Sequence, residues 1–262
     1  MLKNLEKAIL AAYRAGIEII DVYGSSFEVE LKSDKTPLTE ADLRAHKKIV
    51  EELKESDLPI LSEEGRDIPY NERRAWKKFW MVDPLDGTKE FIKRNGEFTV
   101  NIALIEDQKP IMGVIYVPVT QTLYFGLEGK GAFKIAKFNG ALGGVNDWIE
   151  DGKEIPIKED SRPFTAVGSR SHPSQETTDF LNELTKEHGQ LNLVYMGSSL
   201  KICLVAEGAA DIYPRFAPTM EWDTAAGHGI ALASGKDIID HSTGKRMKYN
   251  KENLLNNWFI VR

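Results

Sequence analysis

The stretch from Phe98 to Ala136 constrains the fold most. Four apolar runs, FTVNIALIED, IMGVIYV, TLYFGL and GAFKIA, follow one another with only DQKP, PVTQ and EGKG between them. In the first run Phe98, Val100, Ile102 and Leu104 alternate with other residues at the period of a strand. Turn-forming connections this short join antiparallel neighbours, so the middle of the chain is expected to be an antiparallel sheet. Gly129 to Gly131 then reads as a hairpin turn. Such a sheet needs covering elements. Residues 4–22 carry Leu5, Ile9, Ala12, Tyr13 and Ile17 at helical spacing, and residues 39–55 carry Leu43, Ile49 and Leu53, which predicts two helices ahead of the sheet.

From about Pro163 the rhythm changes. FTAVGS, QETTDFLNELTKEHG, NLVYMGS, SLKICLVAEG, ADIYPRF, TAAGHGIALASG and KDIID spell β-α-β-α-β-α-β, an α/β unit beside the first sheet. The expected organisation is an α+β part over residues 1–155 and an α/β part over 156–262. The Gly-rich stretch NGALGGVNDWIEDGKE is expected to be a loop or linker between them. The chain's 262 residues suffice for a substantial core. A net charge of −6 without a Lys/Arg cluster argues against nucleic-acid binding. The opening MLKNLEKAILAAYRAG carries Lys3, Glu6, Lys7 and Arg14, so it reads as an amphipathic helix rather than a signal peptide, and no run is long enough to span a bilayer. The one cysteine, Cys203, excludes an intrachain disulfide and reads as the buried side of a helix. A cytoplasmic protein is the expectation.

Candidate chemistry lies in carboxylates. In FWMVDPLDGTKEF an apolar strand reaches Asp83 and Asp86 around Pro84, and a helix start follows. Proline cannot continue the strand's ladder. One acid would suffice to cap a helix, and two ionised acids together repel, so a cation is expected between them; hard oxygen ligands without His or Cys favour Mg²⁺. The amides of Gly87 and Thr88 at the helix start suit a phosphate oxygen. Glu63 and Glu64 follow a second apolar run, 58–61, and only one of them can face inward in extended chain. Asp223 begins a helix of small residues able to approach a neighbour closely, and is either an N-cap or a ligand. Thr39 and Asp42 read as a capping box, with Asp34 shaping the loop before them. His172 reads as a surface-loop residue.

Taken together, Glu63-Glu64, Asp83-Pro84-Leu85-Asp86-Gly87-Thr88 and Trp222-Asp223 resemble, in order, the motifs of the Mg²⁺-dependent, lithium-sensitive phosphatases of the inositol monophosphatase superfamily. Within it, DGTKEF, SRSH (169–172), GSSLK (197–201), YPRF (213–216) and WDTAAGH (222–228) are similar to the 3′(2′),5′-bisphosphate nucleotidases of the CysQ type. The resemblance implies a layered α-β-α-β-α sandwich of the inositol monophosphatase and fructose-bisphosphatase type. It implies two or three Mg²⁺ ions held by Glu63, Asp83, Asp86, Asp223 and the carbonyl of Leu85. It implies Asp42 and Thr88 as the catalytic dyad, which changes the reading of Asp42 from structural to catalytic. Substrate contacts would come from Glu63, Leu85, Asp86, Gly87, Thr88, Ser169, His172, Gly197, Lys201 and Asp223, which moves His172 from surface loop to binding residue. The implied reaction is hydrolysis of the 3′-phosphate of 3′-phosphoadenosine 5′-phosphate, serving sulfur assimilation. The alternatives are an inositol monophosphatase and a catalytically silent sensor of a phosphorylated metabolite. The implied partner is a small phosphorylated nucleotide, on a monomer or homodimer, with peripheral association at the inner membrane left open.

Overall fold

The computed structural model describes residues 1–26, 28–31, 37–140, 143–157, 162–168 and 174–262. The elements run α1 (Leu2–Tyr23), β1 (Val29–Leu31), β2 (Pro37–Thr39), α2 (Glu40–Leu53), β3 (Ile60–Ser62), α3 (Tyr70–Arg73), β4 (Lys78–Asp86), α4 (Thr88–Ile92), β5 (Thr99–Glu106), β6 (Lys109–Val117), β7 (Thr122–Leu127), β8 (Gly131–Ile135), α5 (Val145–Asp151) and β9 (Lys153–Ile155). They continue with β10 (Thr165–Gly168), α6 (Gln175–His188), β11 (Asn192–Tyr195), α7 (Leu200–Ala206), β12 (Tyr213–Arg215), α8 (Glu221–Ala233), β13 (Ile238–Asp240) and β14 (Phe259–Val261).

Strands β3 to β9 form one seven-stranded sheet in sequence order. The expected meander is its antiparallel body, but β3 joins β4 in parallel, so the sheet is mixed. Because side chains alternate across a strand, each strand feeds two cores. Trp80, Val82, Val100, Ile102 and Leu104 pack with α1 and α2, whereas Phe79, Met81, Ala103 and Ile105 pack with α7 and α8. On the far side of α7 and α8 lies a second sheet. β10 pairs in parallel with β11, β12 and β13 flank β14 in antiparallel, and a parallel bridge from Ala166 to Ile212 joins the two groups. Its outer face, through Ala166, Ile212 and Ile260, packs with Leu184, Phe180 and Leu181 of α6. The layers are therefore α1/α2, sheet, α7/α8, sheet, α6, the five-layer sandwich expected.

Four expectations need correction. The described residues of the stretch 139–154 are not a linker: they contain α5, whose Val145 and Trp148 are buried in the α1/α2 core, and the start of β9, an edge strand of the large sheet. Buried apolar residues were hidden there by the surrounding glycines. Strand β4 does not stop at Pro84, because the ladder pairs Asp83 with Asn101 and resumes at Asp86 with Thr99, making a bulge. Ile17 and Leu43 do not face the core; they are 51% and 49% exposed. The buried stripe of α1 runs instead through Ala8, Ala11, Ala12, Ala15 and Ile19, and that of α2 through Ala41, Asp42, Ala45, Ile49 and Leu53. A C-terminal strand, β14, completes the second sheet and was not expected.

The small residues of α8 seat it against the sheet. A methyl group on Gly113 of β6 would lie 2.0 Å from the Ala226 carbonyl oxygen, and one on Gly229 would lie 2.7 Å from the Gly113 nitrogen. Backbone therefore meets backbone, with no side chain between that could yield. Gly113→Ala is expected to force α8 outward at a cost of about 2 kcal/mol or more. That corresponds to a fall of roughly 4–8 °C in Tm for a chain of this size. Thermal unfolding followed by circular dichroism checks it; a native Tm would contradict the close approach.

Candidate active site

Alternation along β4 turns Asp83 to the same face as Phe79 and Met81, towards α8. The parallel register sets Ser62 opposite Val82, and the Glu63 amide donates to the Val82 carbonyl at 3.1 Å, so Glu63 follows directly beside Asp83. Leu61 also packs on the α8 side, whereas Ser62 meets His46 of α2 at 2.9 Å. Glu63 is thus the member of the acidic pair that shares a face with Asp83. The bulge at Pro84 and Leu85 supplies the next acid. Asp83 accepts a bond from the Leu85 amide at 3.1 Å, closing a tight turn after which Asp86 emerges. Asp223 comes from the third residue of α8, held by the Met220 amide at 2.9 Å.

Carboxylate oxygens of Asp83, Asp86 and Asp223 all lie within 4.8 Å of one another. Burial, and after it the charges of Glu63, Asp86 and Asp223, push the Asp83 carboxyl well above its usual range. Burial and the charges of Asp86 and Glu63 do the same to Asp223. Two acids that resist ionisation beside a third form a site that a cation would relieve. The donor set, carboxylates together with the bulged backbone, fits a hard divalent cation.

Next to the acids stands the expected dyad. Asp42, buried at the start of α2, accepts the Thr39 amide at 2.7 Å and the Thr39 hydroxyl at 2.6 Å on one oxygen. Its other oxygen is 3.2 Å from the Thr88 hydroxyl, which also lies 3.3 Å from the Leu85 carbonyl. Asp42 therefore serves its helix cap with one oxygen and meets Thr88 with the other. Thr88 opens α4 after Gly87, whose φ of 93° is one that glycine adopts without strain. The first amides of a helix have no partner within it.

A cavity of about 130 Å³ opens from the acids. Asp86, Gly87, Gly197, Lys201, Tyr213, Arg215 and Asp223 are among the residues that line it. The Gly197 amide donates to Glu97 at 2.7 Å, and the Lys201 ammonium donates to the Ser198 carbonyl at 2.5 Å over the Tyr213 ring. Burial pushes that ammonium down to about 8. Arg215 was missed by sequence reasoning. Its guanidinium Nε is buried with no partner among the described residues, and it lines the same cavity. The available signal was a cation interrupting an apolar strand in YPRF. Ser169, His172 and Asp34 lie outside the described residues. Cys203 is buried in α7, as its setting suggested. No helix among the described residues is long and apolar enough to cross a membrane.

Known proteins are similar to this chain in sequence and in fold. Residues 1–258 match the inositol monophosphatase family. The 3′(2′),5′-bisphosphate nucleotidase CysQ of Salmonella typhimurium is 46% identical, with 98% of each chain covered, and that of Escherichia coli K12 is 44% identical with the same coverage. The crystal structure of CysQ from Bacteroides thetaiotaomicron superposes with a TM-score of 0.93 at 50% identity, covering 100% of this chain and 97% of that one. A full-length match in sequence and in backbone, on a chain whose acids converge from β3, β4 and α8, leaves one conclusion: the chain belongs to the inositol monophosphatase family.

Proposed function

We propose that the chain is a Mg²⁺-dependent 3′(2′),5′-bisphosphate nucleotidase that hydrolyses the 3′-phosphate of 3′-phosphoadenosine 5′-phosphate to AMP and phosphate, in support of sulfur assimilation in the cytoplasm. The observation that carries this reading is that one cavity is lined both by Asp86 and Asp223 of the carboxylate cluster and by the cations Lys201 and Arg215. A substrate with one phosphate on the cation site and a second anionic group within reach of Lys201 and Arg215 fits both kinds of group at once. Inositol 1-phosphate carries no second anion for Lys201 and Arg215. The full-length similarity to CysQ nucleotidases points the same way.

Glu63, Asp83, Asp86, Asp223 and the Leu85 carbonyl would hold two or three Mg²⁺. When bound, these ions neutralise the phosphoryl oxygens, acidify a water and stabilise the departing oxygen. The remaining work falls to the chain itself. The Thr88 hydroxyl accepts a proton from the attacking water as it passes its own to the Asp42 oxygen facing it, the general base. Thr39 holds the other Asp42 oxygen and so fixes the carboxylate's angle. The Gly87 and Thr88 amides bind a phosphoryl oxygen. Water forms the new P–O bond while the bond to the ribose 3′ oxygen breaks, and that oxygen takes a proton from a solvent water and leaves as the ribose hydroxyl. Lys201 and Arg215 orient the nucleotide through its 5′-phosphate, joined by Gly197, Ser169 and His172.

Phosphate release from 3′-phosphoadenosine 5′-phosphate and from inositol 1-phosphate, each with Mg²⁺, tests the reading: the nucleotide is expected to be the better substrate by at least tenfold in kcat/KM, about 1.4 kcal/mol of preference. Equal or reversed preference would refute it, and absence of turnover on both would leave a phospho-metabolite sensor. Thr88→Ala is expected to lower kcat by roughly 10²–10⁴ with KM little changed, because it removes the relay and not the cation ligands. Asp86→Asn should fold and yet lose about 100-fold or more in both Mg²⁺ affinity and activity; calorimetric titration with Mg²⁺ reads the first without turnover.

A further inference from the structure

Behind Asp86 a set of side-chain oxygens is packed with more contacts than protons. Thr99 Oγ1 lies 2.7 Å from Ser198 Oγ, 2.8 Å from Ser199 Oγ and 2.9 Å from Asn101 Oδ1. Ser199 Oγ is 2.9 Å from Asn101 Oδ1, and Ser198 Oγ is 2.7 Å from Asp86 Oδ2. The hydroxyls of Thr99, Ser198 and Ser199 offer one proton each. Ser198 Oγ donates to Asp86 and accepts the Ser199 amide at 2.6 Å, while the Asn101 carbonyl oxygen, which can only accept, takes bonds from Thr99 and Ser199. Thr99 Oγ1 thus sits where both serines and Asn101 meet, in a chain of hydroxyl contacts that ends on Asp86 and whose bonds polarise one another.

Two further facts give this chain a purpose. Every hydrogen bond that the described residues donate to Asp86 ends on Oδ2, from Ser198 Oγ, from the Ser199 amide at 2.5 Å and from Asn101 Nδ2 at 3.4 Å. Oδ1 is left for a cation. Ser198 has a φ of 52°, in the left-handed region that a residue with a side chain seldom enters. The turn it shapes, between β11 and α7, carries Gly197 and leads into Lys201 on the cavity wall.

We infer that Thr99 is a positioning residue: its hydroxyl fastens the nucleotide-side turn at 197–199 to the cation-side carboxylate of Asp86, so that one buried group sets the affinity for both ligands. Thr99 is fully buried and does not line the cavity, so it reaches either ligand only through the two serines and Asn101. The nucleotide half of this inference rests on the nucleotidase reading; the cation half does not.

Thr99→Val keeps the branched shape and removes the hydroxyl, and Thr99→Ser keeps the hydroxyl. Calorimetric titration with Mg²⁺ alone, and with AMP in the presence of Mg²⁺, is expected to show each ligand weakened about tenfold in T99V and native-like in T99S. Steady-state kinetics should show KM raised similarly in T99V, with kcat at saturating Mg²⁺ and substrate within about threefold of native. Ser198→Ala cuts the same chain one link nearer the carboxylate, and is expected to weaken Mg²⁺ binding alike, even if T99V does not fold. Native Mg²⁺ affinity in these variants, or a T99S protein as weak as T99V, would overturn the inference. Absence of turnover by the unmodified chain would instead defeat the nucleotidase reading, and the Mg²⁺ titrations would still decide the role of Thr99.

Discussion

Asp83, Asp86 and Asp223 repel one another in a partly or wholly buried space, and much of the architecture serves to hold them there. Their oxygens lie within 4.8 Å of one another although burial alone disfavours the charge on Asp83 and Asp223. No single element could enforce this. The strand alternation of β4 aims Asp83, the bulge at Pro84 and Leu85 turns Asp86 towards the same space, and α8 delivers Asp223 from another part of the chain. The acids stay together because each is carried by a rigid element whose position is fixed by packing far from the acids themselves.

Helix α8 shows how that packing works. Gly113 and Gly229 bring its backbone against β6, and Gly126 of β7 allows the same at its next turn. Further along, buried His228 bonds Tyr249 at 2.9 Å and Asp237 at 2.8 Å, and burial keeps its pKa below the usual value. At the helix start, Glu221 is fully buried and accepts the Asn250 amide at 2.5 Å and the Lys251 ammonium at 2.6 Å. These contacts fix the helix in depth, in rotation and along its axis, and the direction of Asp223 follows from all three. The same logic of separate tasks for separate oxygens recurs in the site. Asp42 gives one oxygen to its helix cap and the other to Thr88, and Asp86 gives one to the 198–199 turn and keeps one for a cation.

Local patterns carried much of the fold. The meander, both opening helices and the seven elements after Pro163 all formed where periodicity indicated, because each rests on short-range spacing of apolar residues. The failures have equally local causes. Glycines around α5 masked a helix, Ile17 and Leu43 lost the core to alanine-lined stripes that pack more closely, and β14 is too short to announce itself.

The chemical types can be read from the chain alone: hard oxygen donors without a soft ligand, a threonine beside a helix start, and a capping aspartate. Motif order made their grouping legible through the resemblance to a known family. Tertiary structure alone settles which oxygens of Asp42 and Asp86 meet which partners, that Arg215 enters the same cavity, and that Thr99 stands behind Asp86. The physical reason is that residue type is a property of one position. Which atoms meet, by contrast, depends on strand register, on a bulge and on the depth of one helix, each set by pairings between separate elements, such as Asp83 with Asn101 and Gly113 with Ala226.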